Sequence, residues 1–137
     1  MKKTGVTLIE LIITVMLISI LGALGFIQYG NYREEALGKE ARANLRLIVA
    51  AQRIYKIKTS AYFPMAGGTE TDIASINNNL KVMLSTAEGA SRSWDYLVDS
   101  SSGVTCAQAT RVNGPQKTWS FRSNDLDGDP DEDGTCP

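Results

Sequence analysis

The chain contains no histidine and only two cysteines among its 137 residues. Without histidine it lacks the side chain that most often serves as a general base or as a transition-metal ligand. It has no glycine-rich phosphate loop, and no serine or cysteine stands beside a base in the sequence. These absences argue against an enzyme.

The sequence also lacks a basic stripe. Aromatic residues make up only 7% of the chain, the formal net charge is −1, and no long basic stripe interleaved with aromatic residues appears. Proteins that bind nucleic acids usually carry such a basic and aromatic surface. A nucleic-acid partner therefore has little support from the sequence.

No proline occurs before Pro64. Because proline breaks helix interiors, its absence allows one continuous helix from Val6 to about Lys58. Val6–Ile27 is apolar apart from Glu10 and would be roughly 33 Å long, enough to cross a bilayer core. Tyr29–Lys58 is amphipathic, and one apolar stripe at helical spacing is predicted to face a globular domain. Its members are Ala36, Ala43, Leu47, Ala50, Ile54 and Ile57.

Glu10 is the unusual residue in the apolar run, since a carboxylate in lipid costs on the order of 2.5 kcal/mol or more. A cleaved signal peptide fits the basic start, but its apolar core is shorter than this run. An uncleaved anchor fits the length and the positive charge of Lys2 and Lys3. Neither gives Glu10 a role, although near the membrane surface its side chain could reach water.

The segment Gly5-Val6-Thr7-Leu8-Ile9-Glu10 follows two lysines and resembles the prepilin signature of type IV pilins and type II secretion pseudopilins. Most members of that family have phenylalanine where this chain has Val6. The resemblance implies cleavage between Gly5 and Val6 by a prepilin peptidase, and methylation of the new amino terminus on Val6. It also implies that Glu10 pairs with the amino terminus of a neighbouring subunit.

The same resemblance implies a pilin-like α+β fold, with a long helix packed on a small antiparallel sheet. The subunit would reside in the inner membrane before it enters a periplasmic pseudopilus or a cell-surface pilus. The expected segments are a leader (1–5), a transmembrane and assembly half-helix (6–28) and a head (29–137). The head divides into an amphipathic helix (29–58), a variable loop (59–93) and a sheet with an acidic, disulfide-closed tail (94–137).

The alternating segments near the end predict three strands, Trp94–Asp99, Val104–Val112 and Lys117–Ser123, in an antiparallel sheet of three or four strands. A short helix is expected around Thr71–Ile76, within an otherwise irregular stretch. Aromatic side chains from the strands are predicted to form the core rather than a binding patch. They are Trp94, Tyr96, Trp119 and Phe121.

Six acidic residues crowd the tail between positions 125 and 133. Oxygen ligands at alternating positions are what Ca²⁺ prefers. The chain provides no bidentate glutamate for an EF-hand, so the prediction is a calcium loop of another type. The alternative is a solvated acidic tail, and no other cofactor is expected. The candidate ligands are Asp125, Asp127, Asp129, Asp131 and Asp133.

Cys106 and Cys136 are predicted to form a disulfide, because the amino terminus resembles an export or membrane signal. It would close a loop of about 30 residues and fix the acidic tail to the sheet.

The sequence therefore predicts a structural subunit that polymerises with copies of itself or with related subunits, on a pilus or type II secretion assembly platform. The choice between pilus and pseudopilus stays open. The alternative is a membrane-anchored, calcium-dependent binding or adhesion module with an uncleaved anchor.

Overall fold

A computed structural model describes residues 5–65, 67–86, 92–101, 103–124 and 128–136, with backbone alone at 24 and 26–28. The chain divides into two units, Met1–Ala36 and Leu37–Pro137. The helices are α1 (Leu8–Thr59) and α2 (Ile73–Leu80). The strands are β1 (Thr69–Glu70), β2 (Trp94–Asp99), β3 (Cys106–Arg111), β4 (Thr118–Arg122) and β5 (Asp131–Glu132).

The first helix, α1, has 52 residues, and its extent agrees with the prediction. Thr7 stands before its first turn, where its Oγ1 accepts from the Glu10 backbone N–H at 3.4 Å. The helix ends where Ser60 takes a left-handed conformation with φ of 64°. The Thr59 hydroxyl also donates to the Tyr55 carbonyl at 2.9 Å, which satisfies a group in the last turn.

Within the described part of the chain, no helix combines the length and the apolar character needed to cross a membrane.

The sheet is antiparallel, with its five strands in sequence order. Its three central strands, β2 to β4, are the three that the sequence predicted. The predicted total of three or four strands was too low, because the two-residue strands β1 and β5 pair with β2 and β4 at the two edges. A strand of two residues is too short to show an alternation of apolar and polar side chains. β1 and β5 therefore leave no signal in the sequence.

The core lies between α1 and one face of the sheet. The helix contributes residues that are almost completely buried: Ala41, Leu45, Ile48, Val49 and Gln52. From the sheet come Trp94, Tyr96, Val98, Ala107, Ala109 and Phe121, with Trp119 partly buried against them. The predicted aromatic core is confirmed, with Trp119 at its margin.

The predicted apolar stripe of α1 is wrong in its orientation. Leu47, Ile54 and Ile57 are 47%, 56% and 83% exposed, and the alanines at 36, 43 and 50 are exposed as well. The helix carries two apolar stripes, and the sheet covers the other one. A glycine (Gly38) and a glutamine (Gln52) interrupt the buried stripe, which hides it in the sequence.

The short helix α2 begins later than predicted because Asp72 is its N-cap. The Asp72 carboxylate accepts from the backbone N–H groups of Ala74 and Ser75 at 3.3 and 3.0 Å. The helix continues through the asparagines at 77–79, which the sequence suggested were irregular. Asn77 binds the chain that follows α2. Its Nδ2 donates to the Leu84 carbonyl and its Oδ1 accepts from the Leu84 N–H, both at 2.9 Å.

Candidate functional site

The predicted cleavage point lies in exposed, non-helical chain. Gly5 and Val6 precede α1, both are exposed, and a Cβ added to Gly5 would meet nothing within 4 Å. Exposed backbone outside regular structure is the kind that peptidases reach. Residues 1–4 of the predicted leader lie outside the described residues.

Glu10 is exposed in the first turn of α1. Its carboxylate forms no ion pair with any described residue. A negative charge at a helix start is favoured by the helix dipole, but by less than 1 kcal/mol at an exposed position. The helix dipole therefore offsets only part of the free-energy cost that the Glu10 carboxylate would meet if an apolar environment covered it.

Large apolar side chains surround Glu10 on all faces of the helix. Leu8 and Ile9 are 78% and 67% exposed, and Leu11 is 58% exposed. The same holds to the end of this stretch, where Ile20 and Leu21 are 50% and 69% exposed. Monomeric soluble proteins rarely expose an apolar surface of this extent, and such surfaces mark interaction sites.

The carboxyl-terminal segment is fixed to the outer side of the sheet. The predicted disulfide is confirmed: Cys106 and Cys136 are bonded, with a Cα–Cα distance of 5.7 Å. The Cys136 backbone N–H donates to Gln108 Oε1 at 2.9 Å, and the Asp133 N–H donates to the Thr118 carbonyl at 2.8 Å. On the chain-entropy estimate, closing this loop stabilises the head by about 3–4 kcal/mol.

The predicted calcium ligands are only partly within the described residues, since Asp125 and Asp127 are not. Asp129 forms an ion pair with Arg46, while Asp131 and Asp133 are exposed. No group of three histidine, cysteine or acidic side chains suited to a metal occurs among the described residues. The calcium loop therefore stays a prediction.

Three arginines on α1 hold the strand and loop that lead to this tail, and the sequence reasoning missed them. The Arg42 guanidinium lies 5.0 Å from the centre of the Trp119 ring, and Arg46 binds Asp129. Arg53 Nη2 donates to the Ser123 carbonyl at 3.4 Å. Their spacing of four and seven residues places them on one helix face, and this spacing was the available signal.

A buried glutamine anchors the chain that follows α1. Gln52 is fully buried; its Oε1 accepts from the Phe63 N–H at 2.8 Å, and its Nε2 donates to the Phe63 carbonyl at 2.6 Å. The side-chain amide thus replaces a missing backbone partner on both groups of Phe63.

Asp99 anchors the end of β2. Burial would raise its pKa, but the Ser101 hydroxyl and N–H, together with the Thr69 hydroxyl, donate to its carboxylate. The distances are 2.7, 3.1 and 2.9 Å. These hydrogen bonds outweigh the burial, so the pKa of Asp99 lies below its ordinary value.

Tyr96 connects the sheet to α1 within the core. Its hydroxyl accepts from Asn44 Nδ2 at 2.7 Å. Burial raises the pKa of Tyr96 to about 12, the Asn44 hydrogen bond opposes the shift, and the Glu40 charge adds to it. The phenol therefore stays neutral over the physiological pH range.

Comparison of the chain with protein-family models, curated proteins and solved structures finds no match.

Proposed function

We propose that this chain is a pilin-like structural subunit. In this proposal it is cleaved between Gly5 and Val6, methylated on Val6, and polymerised through the first half of α1 into a pilus or pseudopilus. The observation that carries the proposal is the exposed apolar surface of residues 8–21, in which Glu10 is the lone charge.

The apolar surface supports polymerisation because the described chain leaves it uncovered. Lipid can cover it before assembly, with Lys2 and Lys3 on the cytoplasmic side. Helices of neighbouring subunits can cover it afterwards. Contacts between two different surfaces of identical subunits generate an open helical polymer when they do not close into a ring.

Glu10 supports a defined register along that polymer. A free amino terminus on Val6 would be a second charge in the same apolar surroundings. Pairing the Glu10 carboxylate of one subunit with the amine of the next compensates both charges. An ion pair of this kind contributes little net stability but excludes other alignments of the helices.

A prepilin peptidase would process the subunit in the inner membrane, and a pilus or type II secretion platform would assemble it. The head, held by the Cys106–Cys136 disulfide, would lie in the periplasm or outside the cell. Its role would be structural rather than catalytic.

The intact mass of the mature protein tests the cleavage. We expect the loss of Met1–Gly5 and the gain of one methyl group. An intact Met1 would contradict the proposal and would favour the uncleaved, membrane-anchored binding module.

Melting with and without a chelator then tests the calcium loop, since bound Ca²⁺ would raise the melting temperature.

Replacing Glu10 tests the assembly step. We expect Glu10→Leu to be cleaved normally but to give little or no sedimentable polymer, because the subunit amine then has no partner. Glu35→Leu is the matched control, since it removes an exposed glutamate from the same helix. Normal polymer from Glu10→Leu would contradict the assigned role of Glu10.

A further inference from the structure

A small pocket, which we call the loop pocket, lies between the chain that follows α1 and the turn that follows β2. The chain after α1 contributes Ser60, Tyr62 and Met65 to its lining, and the turn contributes Ser100 and Gly103. Its volume is about 220 Å³, which is less than the roughly 300–1,000 Å³ of pockets that hold drug-sized molecules. The loop pocket therefore suits a ligand about as large as a single sugar.

A positive charge stands at the wall of the loop pocket. Lys56, in the last turn of α1, lines the pocket, and its ammonium lies 4.2 Å from the centre of the Tyr62 ring. The attraction between a cation and an aromatic face favours this position. In the part of the chain that the structure describes, Lys56 forms no ion pair with an acidic side chain. The ammonium is therefore held beside the pocket without a carboxylate partner among those residues.

The Tyr62 hydroxyl responds to the same positive surroundings. A hydrogen bond with the Ser123 side chain and the positive charges of Lys56 and Arg53 lower the pKa of Tyr62, and together they outweigh the opposing effect of burial. Arg53 is fixed nearby, because its Nη2 donates to the Ser123 carbonyl at 3.4 Å. Charges that favour the phenolate also favour an anion that binds beside it.

Acidic side chains do not cancel this charge at the pocket wall. Among the described residues that line the loop pocket, none is acidic. Asp99 precedes Ser100 in the chain, but its carboxylate already accepts hydrogen bonds from Ser101 and from the Thr69 hydroxyl. Those donors, rather than Lys56, compensate the charge of Asp99. The loop pocket therefore favours an anionic ligand.

We propose that the loop pocket binds a small hydroxylated carboxylate of about the size of a uronic acid. The ligand carboxylate pairs with the Lys56 ammonium, which gives a charge-assisted hydrogen bond. The Ser100 hydroxyl donates to the Pro64 carbonyl at 2.8 Å, so its oxygen remains an acceptor for a hydroxyl of the ligand. This binding site goes beyond the proposed function, because polymerisation through α1 requires no such ligand.

Saturation-transfer NMR with the full-length chain in detergent tests the site. The probes are glucuronate, glucose and acetate at equal ionic strength. We expect glucuronate to bind with a Kd of about 1 mM, as is usual for a ligand of its size. Glucose lacks the carboxylate and acetate lacks the hydroxyl groups, so each should bind at least about tenfold more weakly. No detectable binding of glucuronate, or equal binding of all three probes, would overturn the proposal.

Two neighbouring lysines provide a matched pair of variants. Lys56→Gln removes the charge from the pocket wall, and we expect it to weaken glucuronate binding at least about tenfold. Lys58→Gln is the control, since Lys58 is exposed in the same turn of α1 and does not line the loop pocket. Lys56→Arg should keep the preference for glucuronate over glucose. Equal losses from Lys56→Gln and Lys58→Gln would show a general attraction to the end of the helix and would overturn the assigned site.

The site and the proposed function fail separately. The binding measurement uses unassembled chains, so its result does not depend on cleavage after Gly5 or on polymerisation. A chain that keeps Met1 but binds glucuronate through Lys56 would contradict the proposed function alone. A cleaved, polymerising chain that does not distinguish glucuronate from glucose would overturn the loop pocket alone.

Discussion

Single residues in this molecule act mainly by satisfying backbone groups that the folded chain would otherwise leave unpaired. Gln52 does so for Phe63 in the core, and Asn77 does so for Leu84 after α2. A buried N–H or carbonyl without a partner costs about 1–3 kcal/mol. A side chain that binds both the N–H and the carbonyl of one residue therefore contributes more to stability than a side chain that makes a single hydrogen bond.

The first prediction concerns Gln52. Replacing it with methionine keeps its approximate volume but removes the partners of the Phe63 N–H and carbonyl. We expect the free energy of unfolding to fall by about 2–4 kcal/mol, as measured by urea denaturation. Gln116→Met, at an exposed position, should change it by less than about 0.5 kcal/mol. Equal effects at the two positions would contradict the importance of the Phe63 contacts.

The second prediction concerns Asp99 and pH. Its pKa in the folded chain lies below the ordinary value of 3.8, so folding favours the ionised form. That stabilisation is present above pH 3.8 and is lost as the pH falls through the folded-state pKa. We therefore expect Asp99→Asn to melt at a lower temperature than the parent near neutral pH, with a difference that shrinks in acid. Thermal melting at a series of pH values measures this.

Asp131→Asn is the control, since Asp131 is exposed on β5. With a chelator present, it should melt close to the parent near neutral pH. A difference between Asp99→Asn and the parent that grows as the pH falls would contradict the assignment.

Among the secondary-structure elements, the predictable ones are those whose own sequence shows a repeating pattern or a long stretch without proline. β2 to β4 alternate, α1 is free of proline, and all four were predicted from the sequence. The orientation of α1 was not, because Leu47 and Ile54 are as apolar as the buried Leu45 and Ile48. The sheet buries the stripe that contains Gly38 and Ala41, where side chains of the sheet can approach the helix most closely.

The candidate site was predictable to a different degree. The Cys106–Cys136 bond could be predicted from simple chemistry, and the roles of Gly5 and Glu10 stay predictions from a local motif. The arginine contacts to Trp119, Ser123 and Asp129 join residues far apart in the chain. Only the folded arrangement reveals which of the several arginines of α1 make them.

The third prediction compares two glycines with opposite surroundings. At Gly38, inside α1, an added Cβ would lie 3.8 Å from the Trp119 ring, an ordinary contact. Because alanine favours helices more than glycine does, we expect Gly38→Ala to raise the free energy of unfolding by about 0.5–1 kcal/mol.

At Gly134 the same change should be harmful. The added Cβ would lie 2.1 Å from Ser120 Oγ, and rotating that hydroxyl away would still leave the Asp131 and Ser120 Cβ atoms at 3.1 and 3.2 Å. We expect Gly134→Ala to lower the free energy of unfolding by about 1–3 kcal/mol. Urea denaturation of both variants measures the contrast, and a stabilised Gly134→Ala would contradict the close packing of the tail on β4.

For the whole molecule, stability is concentrated in one of the two units. Among the residues that the structure describes, every member of the hydrophobic core, from Ala41 to Phe121, belongs to Leu37–Pro137. The first unit contains a helix whose described apolar side chains are exposed. The described apolar side chains of the first unit therefore take no part in the core of the second unit.

The fourth prediction follows from this division. A variant that lacks residues 1–28 should fold, show near-ultraviolet circular dichroism and melt cooperatively, because it keeps every core residue. Removal of residues 1–47 is the control, since it also deletes Ala41 and Leu45, both 0% exposed. We expect no cooperative transition from that second variant. A disordered 29–137 fragment would show that the head depends on the first half of α1.

The two edges of the sheet have a consequence for crowded heads. Both edge strands have only two residues, and they carry Glu70 on β1 and Asp131 and Glu132 on β5. Long, uncharged edge strands pair with one another and nucleate amyloid-like aggregates, whereas short acidic edges repel one another. Where many copies of this chain are held side by side, the heads can therefore stay separate domains instead of merging through their sheets.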